Sequence, residues 1–431
     1  MGNFVTADEA LKVVKSGERV YVHSNSAYPK TLIDALVRRK DELFDVEICH
    51  LMVLGDTPYM KPEMEGHFRH NAFFLGHNTR KQANDGKADF IPIFLSEIPS
   101  LIRTNKNFKI NAALIHVSPV DEHGFCSLGV AVEATKAAVE AADCVIAQVN
   151  PNMPRVHGDS YVHVSNIDYM VECTDELEEL PHFHKRKSEM ELTAYRAIGR
   201  NIASLVEDGA TLQMGIGAIP DAVLAALGNA KDLGIHTEMF SDGIIPLIES
   251  GVINCSKKTL LPGKIVASFL LGSRKLFNYV NENPLIEMRP SDFVNDPFTI
   301  SRNSKMTAIN SALQVDLTGQ VCADSIGYSF YSGIGGQVDF IRGSARSNGG
   351  KPIIALPSTA KNDTLSRIVT HIDEGSGVTT SRGDIHFVVT EFGIADLHGL
   401  NIRERVIELI KIAHPKFKDE LEKFAKTKKY I

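Results

Sequence analysis

The chain has 431 residues, 43% hydrophobic and 23% charged, enough apolar content to bury one large core or, more readily, two. Its formal net charge of −7 gives no basic field for nucleic acid or an anionic membrane surface, so any anionic ligand must be met by local arrangement. No run approaches the roughly 20 apolar residues that cross a bilayer, and Cys49, Cys126, Cys144, Cys173, Cys255 and Cys322 lack CxxC or zinc-like spacing, which predicts reduced thiols and a cytoplasmic location.

In chain order, "MGNFVTADEALKVVKSGERVYVHS" reads as a capped amphipathic helix followed by a strand, not as a secretory leader. Gly2 and Thr6 match a myristoylation pattern, a short match that chance often supplies. Strands are predicted at 19–24, 46–53, 111–119, 144–150, 211–217, 264–272, 352–357 and 385–391, with helical spacing at 132–142 and 219–230 between them. Strand, crossover helix, strand predicts an α/β architecture with mostly parallel sheets. The polar segment around "LPHFHKRKSEM" breaks the alternation and divides the chain into domains of 1–185 and 186–431. His182 and His184 within it, and His23, His50, His116, His123 and His163 before it, show no third ligand at a recognisable spacing, so no metal is expected. The tail "KFKDELEKFAKTKKYI" reads as a charged helix with a solvated face.

Two glycine-rich turns stand out. In "TLQMGIGAIPDAV" a strand runs into Gly215-Ile216-Gly217, and Pro220 sits early in a helix, where its missing N–H costs nothing. Such a turn lets backbone N–H groups face an anion, and a tight turn with no ligand fits almost as well. It is not a dinucleotide fingerprint, because the third glycine is absent. "YSGIGGQVDFIRG" is the second turn, with Arg342, Arg346, Lys351 and Lys361 following as phosphate contacts or as ordinary surface cations.

Glu238, in "GIHTEMFSDGI", is ordinarily read as a solvated or ion-paired residue. Its place about twenty residues after the first glycine turn alters that reading, since strand, turn, helix and strand bring the chain back to the same sheet edge. A carboxylate facing oxyanion donors is a nucleophile arrangement. Ionised at neutral pH, with an ordinary pKa of about 4.3, it needs no base beside it. Arg80 suits a substrate carboxylate or a structural ion pair, and Glu391 at another strand end reads as packing or as a support behind the site.

The strings "GIGAIPDAV", "GIHTEMFSDGI", "SGIGGQVDFIRG", "PIIALPSTAK", "VTTSRGDIHFVVTEFGIADLHGLNIRERVIELIKIAHP", "FIPIFLSEIPSLI" and "HVSPVDEHGFCSLGV" together resemble the acetyl-CoA hydrolase/transferase family over nearly the whole chain. The resemblance implies two α/β domains of CoA-transferase type, with helices on both sheet faces and the active cleft between the domains. The first domain would serve the acyl side, and the second would carry the catalytic glutamate and the CoA-binding loops. It implies that Glu238 becomes covalently loaded with coenzyme A. Gly215, Ile216, Gly217, Ala218 and Ile219 would contact the thioester region, Gly335 and Gly336 would form the second loop, and Asn310 and Lys361 would be further CoA contacts. Coenzyme A is then a substrate and covalent intermediate, with no tightly bound cofactor and no metal. The partners implied are a short acyl-CoA such as acetyl-CoA and a short carboxylic acid, 4-hydroxybutyrate foremost, exchanged by ping-pong chemistry in a homodimer or larger assembly. Acyl-CoA hydrolysis, butyrate/acetate exchange and a silent CoA-binding scaffold are the alternatives.

Overall fold

The computed structural model describes residues 3–180 and 188–431. Gly2, His182, His184 and the expected boundary at 185/186 lie outside the described residues. Two compact units are present, one of Met1–Pro181 with Val266–Val294, the other of His182–Ile265 with Asn295–Ile431.

The first unit is built on a wholly parallel sheet of β1 (Arg19–Val22), β2 (Val46–His50), β3 (Phe68–Ala72), β4 (Ala88–Phe90), β5 (Ala112–Val117), β6 (Cys144–Val149) and β7 (Tyr169–Glu172). Their order is β4-β3-β2-β1-β5-β6-β7. Every residue of β5 and β6 is buried, as expected of parallel strands covered on both faces. Helix α1 (Ala7–Ala10) starts at the predicted cap, with Thr6 and Glu9 forming a reciprocal capping box. Helix α2 (Lys30–Arg38) buries Leu32, Ile33, Ala35 and Leu36 in the core with Val20, Ile48 and Leu114, and α3 (Thr135–Ala141) lies within the predicted 132–142 span.

A single cut at 185/186 leaves no place for Val266–Val294, which packs with the first unit. Val132 N donates to Ser268 O at 2.9 Å, Met288 N to His157 O at 2.8 Å, and Ser291 Oγ to Leu95 O at 2.9 Å. A Cβ on Gly158 would lie 2.2 Å from the Met288 carbonyl, so the two backbones touch there. The strand expected at 264–272 is instead two short pieces, Ile265–Ala267 and Phe269–Leu270, outside both large sheets. Ser268 separates them, its buried hydroxyl donating to Arg289 O at 2.9 Å.

The second unit begins with α4 (Glu189–Ala203), whose Ser188–Glu191 capping box satisfies its first N–H groups. Then come β8 (Thr211–Met214), α5 (Ala218–Ala226), β9 (Gly234–Ile235), β10 (Met306–Ser311), α6 (Gln337–Arg346), β11 (Lys351–Ala355), β12 (Phe387–Thr390), β13 (Gly393–Asp396), α7 (Ile402–Ile412) and α8 (Lys418–Thr427). The sheet order is β9-β8-β10-β11-β12-β13, parallel except for the final antiparallel pair. Helices α4 and α5 meet backbone to backbone, since a Cβ on Gly199 would fall 2.5 Å from Ala222 O. The charged tail is solvated on one face only: α8 buries Leu421 and Ala425 in a core shared with Val388, Ile354 and Leu409. All six cysteines are free. Among the described residues, no helix is long and apolar enough to cross a membrane.

Candidate active site

At the carboxyl end of β8 the chain must pass from sheet to helix, and Gly215-Ile216-Gly217 makes the passage. Gly217 adopts φ 107°, ψ −169°, which any side chain would strain, and it caps α5 without a side-chain hydrogen bond to the first-turn N–H groups. A Cβ at Gly215 or Gly217 would meet nothing within 4 Å, so the turn presents open backbone. Neighbouring strand ends gather beside it: Met214 lies opposite Ile309 and Ser311 opposite Ala355. Asn310 therefore stands next to the turn, its Nδ2 donating to Gln213 Oε1 at 3.0 Å. Ile216, Ala218, Ile219, Ser311 and Arg367 line a cavity of about 190 Å³ here.

Helix α5 returns the chain to β9, parallel to β8, and the buried His236 and Thr237 follow. The Thr237 hydroxyl lies 2.9 Å from Met239 O and 3.2 Å from Met214 O, so its single proton ties the Glu238 segment to the last residue before the glycine turn. Glu238 itself is half-buried. Asn295 Nδ2 donates to its Oε2 at 2.9 Å, and among the described residues nothing hydrogen-bonds Oε1. Burial raises the Glu238 pKa above the ordinary carboxylate value, and the Asn295 bond opposes that rise by favouring the charged form. The fully buried Asn295 keeps an Oδ1 with no partner.

The second glycine loop reaches the same carboxylate. Gly335 has φ 62°, in the left-handed region, and Gly336 caps α6 at φ −102°, open to any residue. Space, not conformation, requires glycine at 336: a Cβ there would sit 1.9 Å from Glu238 Oε2 and 2.2 Å from Asn295 Nδ2. The cations that follow this loop are engaged elsewhere. Arg342 pairs with Asp384 at 3.0 and 3.2 Å, Lys351 with Glu207 at 2.7 Å, and Arg346 lies over the Phe298 ring at 5.6 Å. For these the surface reading holds.

Two family models match this architecture. The acetyl-CoA hydrolase/transferase N-terminal domain covers residues 2–177, and the C-terminal domain of the same name covers 272–425. The 4-hydroxybutyrate coenzyme A transferase of Clostridium kluyveri is 51% identical over 417 residues, 97% of this chain and 96% of that one. The chain belongs to the acetyl-CoA hydrolase/transferase family. A succinyl-CoA:acetate/propanoyl-CoA:succinate CoA transferase of Fasciola hepatica is 47% identical, covering 97% of this chain and 86% of its own. Among solved structures, a 4-hydroxybutyrate CoA-transferase from Porphyromonas gingivalis superposes with a TM-score of 0.85 at 39% identity, covering 99% of this chain and 98% of its own. This member of the family is thus an enzyme of the CoA-transferase class.

Within this family member, Glu238 and Gly336 are in direct contact, and the Thr237 hydroxyl reaches the carbonyl of Met214, the residue that precedes the run Gly215, Ile216, Gly217, Ala218 and Ile219. Lys361 is placed differently. It lines a larger cavity, about 570 Å³, with Tyr195, Pro357, Arg367 and Phe392, and no hydrogen bond or ion pair joins it to Glu238 among the described residues. Its loop carries Lys361, Asn362 and Asp363 at φ 50°, 54° and 60°, a run that L-residues rarely adopt. Glu391 lines that cavity too, and its carboxylate accepts from Ser358 N at 2.9 Å and from Ser358 Oγ. Among the described residues no group of three or more His, Cys, Asp or Glu is arranged to hold a metal. Sequence reasoning missed Asn295, which stands 57 positions from Glu238 in a segment, "VNDPF", with no local mark of a ligand-holding role.

Proposed function

We propose that this enzyme moves coenzyme A from a short-chain acyl-CoA, acetyl-CoA first, to a short carboxylic acid, 4-hydroxybutyrate foremost, through a thioester formed on Glu238. The observation that carries the reading is a half-buried carboxylate held on Oε2 by Asn295, with nothing hydrogen-bonded to Oε1 among the described residues, on a segment that Thr237 ties to Met214, just before a glycine turn with open backbone. The name of the Clostridium kluyveri relative supports the acceptor.

In the first half-reaction Glu238 Oε1 attacks the thioester carbonyl carbon, the C–S bond breaks, and an acyl-glutamyl anhydride and CoA thiolate result. The thiolate then attacks Cδ of Glu238, the bond between Cδ and the bridging oxygen breaks, and the first carboxylate departs with that oxygen, leaving a glutamyl-CoA thioester. A second carboxylate runs the sequence in reverse and regenerates Glu238. No proton is transferred at any step, which is why no base or acid is needed beside this glutamate. What the site must supply is stabilisation of negative oxygen at each tetrahedral stage. N–H groups of the Gly215–Gly217 turn fit that task, at roughly 2.7–4 kcal/mol per donor in comparable oxyanion holes. Burial also strips the carboxylate of water that would otherwise be shed before attack, and the buried Met239 and Phe240 that follow it keep the neighbourhood apolar.

The transferase is distinguished from a hydrolase by its thiol balance. With acetyl-CoA and 4-hydroxybutyrate, acetyl-CoA is expected to convert to a new acyl-CoA with free thiol flat throughout. Sustained thiol release from acetyl-CoA without any acid would assign hydrolysis instead.

A pH profile reads the carboxylate itself. Because burial raises the Glu238 pKa and only the ionised form attacks, the acid limb of kcat/KM should lie above the ordinary carboxylate range, with activity lost as pH falls through it. Asn295 favours the charged form, so Asn295→Ala should move that limb to higher pH. A limb that stays put, or moves to lower pH, contradicts the pairing.

A further inference from the structure

The cavity at the glycine turn, about 190 Å³, and the larger one of about 570 Å³ have Tyr195, Pro357 and Arg367 in common. Arg367 is fixed at this junction by its backbone: its N donates to Ser358 O at 2.8 Å and its O accepts from Val315 N at 2.9 Å. Among the described residues the guanidinium makes one hydrogen bond, from Nη1 to Ala312 O at 3.3 Å, and its buried Nε has no partner. Glu391, the carboxylate on the same wall, already accepts from Ser358 through both oxygens. A guanidinium carries five N–H donors and remains charged at physiological pH, so leaving the buried Nε of this half-buried side chain without a partner is costly. Burial accordingly lowers the Arg367 pKa from the usual guanidinium value. The missing partner is an anion with several acceptor oxygens.

We propose that Arg367 binds a phosphate group of coenzyme A where the acyl-CoA passes from the glycine turn into the larger cavity, with Lys361 a second cation along the same path. The inference rests on the coenzyme A transfer proposed above and assigns the part of that substrate this arginine recognises. A short acid has one carboxylate, which must meet Glu238. A cation at the mouth of a second cavity instead suits a ligand long enough to occupy both, and coenzyme A carries its phosphates a pantetheine arm away from its sulfur. Planar guanidinium donors match phosphate oxygens two at a time.

The test compares acetyl-CoA, 3′-dephospho-acetyl-CoA and acetyl-pantetheine as donors for wild type, Arg367→Gln and Arg367→Lys, with thermal unfolding to confirm that each variant folds. For Arg367→Gln, kcat/KM with acetyl-CoA is expected to fall about ten- to a hundredfold, with acetyl-pantetheine unchanged and partial recovery in Arg367→Lys. An equal fall with the dephospho donor places the contact at the diphosphate, and no fall there places it at the 3′-phosphate. Equal falls with acetyl-CoA and acetyl-pantetheine, no fall with either, or an increase confined to the KM of the acid would overturn the assignment. Calorimetric titration with coenzyme A, which needs no turnover, should show the same loss in Arg367→Gln and overturns the proposal if it does not. A wild type that binds coenzyme A but transfers none would refute the proposed function while leaving this binding measurement decisive.

Discussion

Replacing Glu238 with alanine is expected to lower acyl-CoA:carboxylate exchange by ~10⁴-fold or more, in the range seen when a covalent nucleophile is removed from other enzymes. The size follows from the chemistry proposed for the site. Without a carboxylate there is no atom to carry the acyl group or coenzyme A between half-reactions, so the ping-pong route closes and is not merely slowed. Water attacking in its place yields hydrolysis, not transfer. The fold should tolerate the change, because the residue is half-buried and its side chain's only hydrogen bond among the described residues is the one from Asn295. Coenzyme A affinity, measured by calorimetry, should change little by comparison. A variant that retains more than a few per cent of exchange would remove Glu238 from the chemistry.

Gly336→Ala is expected to be the most damaging change outside the nucleophile. The new methyl carbon would lie 1.9 Å from Glu238 Oε2 and 2.2 Å from Asn295 Nδ2, far inside contact distance. Both clashing atoms are tips of flexible side chains, so the structure can relieve the overlap by swinging them away while the backbone, at φ −102°, accepts alanine without strain. Stability is therefore spared and the carboxylate displaced. A misplacement of about 1 Å costs on the order of 10²-fold in rate, so kcat/KM should fall by about that factor with the unfolding temperature within a few degrees of wild type. Gly158→Ala provides the contrast. Its Cβ would meet backbone, 2.2 Å from Met288 O at φ 102°, so that substitution should lower stability instead. Equal activity in Gly336→Ala and wild type would show that the carboxylate geometry is not what the loop controls.

The strands that were legible in the sequence are those whose burial is apolar on both faces, such as β5 and β6. Six strands of the large sheets, β3, β4, β7, β9, β10 and β13, went unread, and in β3 and β10 the reason is polar side chains. β3, "FRHNA", carries Arg69 and Asn71, which are matched across the sheet by Glu47 at 3.1 and 2.9 Å. β10, "MTAINS", carries Asn310 next to its last residue, matched by Gln213. Neither pattern resembles a buried strand until its partners, far away in the chain, are in place. The same distinction runs through the site. The glycine turn and Glu238 were readable because one crossover unit joins them. Asn295 and Arg367 were not, because their contacts arise only where separate stretches of chain converge. The sequence also marks Gly336 as one of several loop glycines, but only the coordinates show that it makes room for a carboxylate.

The account depends on a covalent bond between Glu238 and the sulfur of coenzyme A, and that bond has a mass. Wild-type protein mixed with acetyl-CoA in the absence of any acceptor, quenched in acid and digested, should yield the peptide spanning 238 with coenzyme A attached. Adding 4-hydroxybutyrate should discharge it, and Glu238→Ala should never acquire it. An unmodified peptide from protein that is turning over, or an adduct mapped to any other residue, would contradict the account.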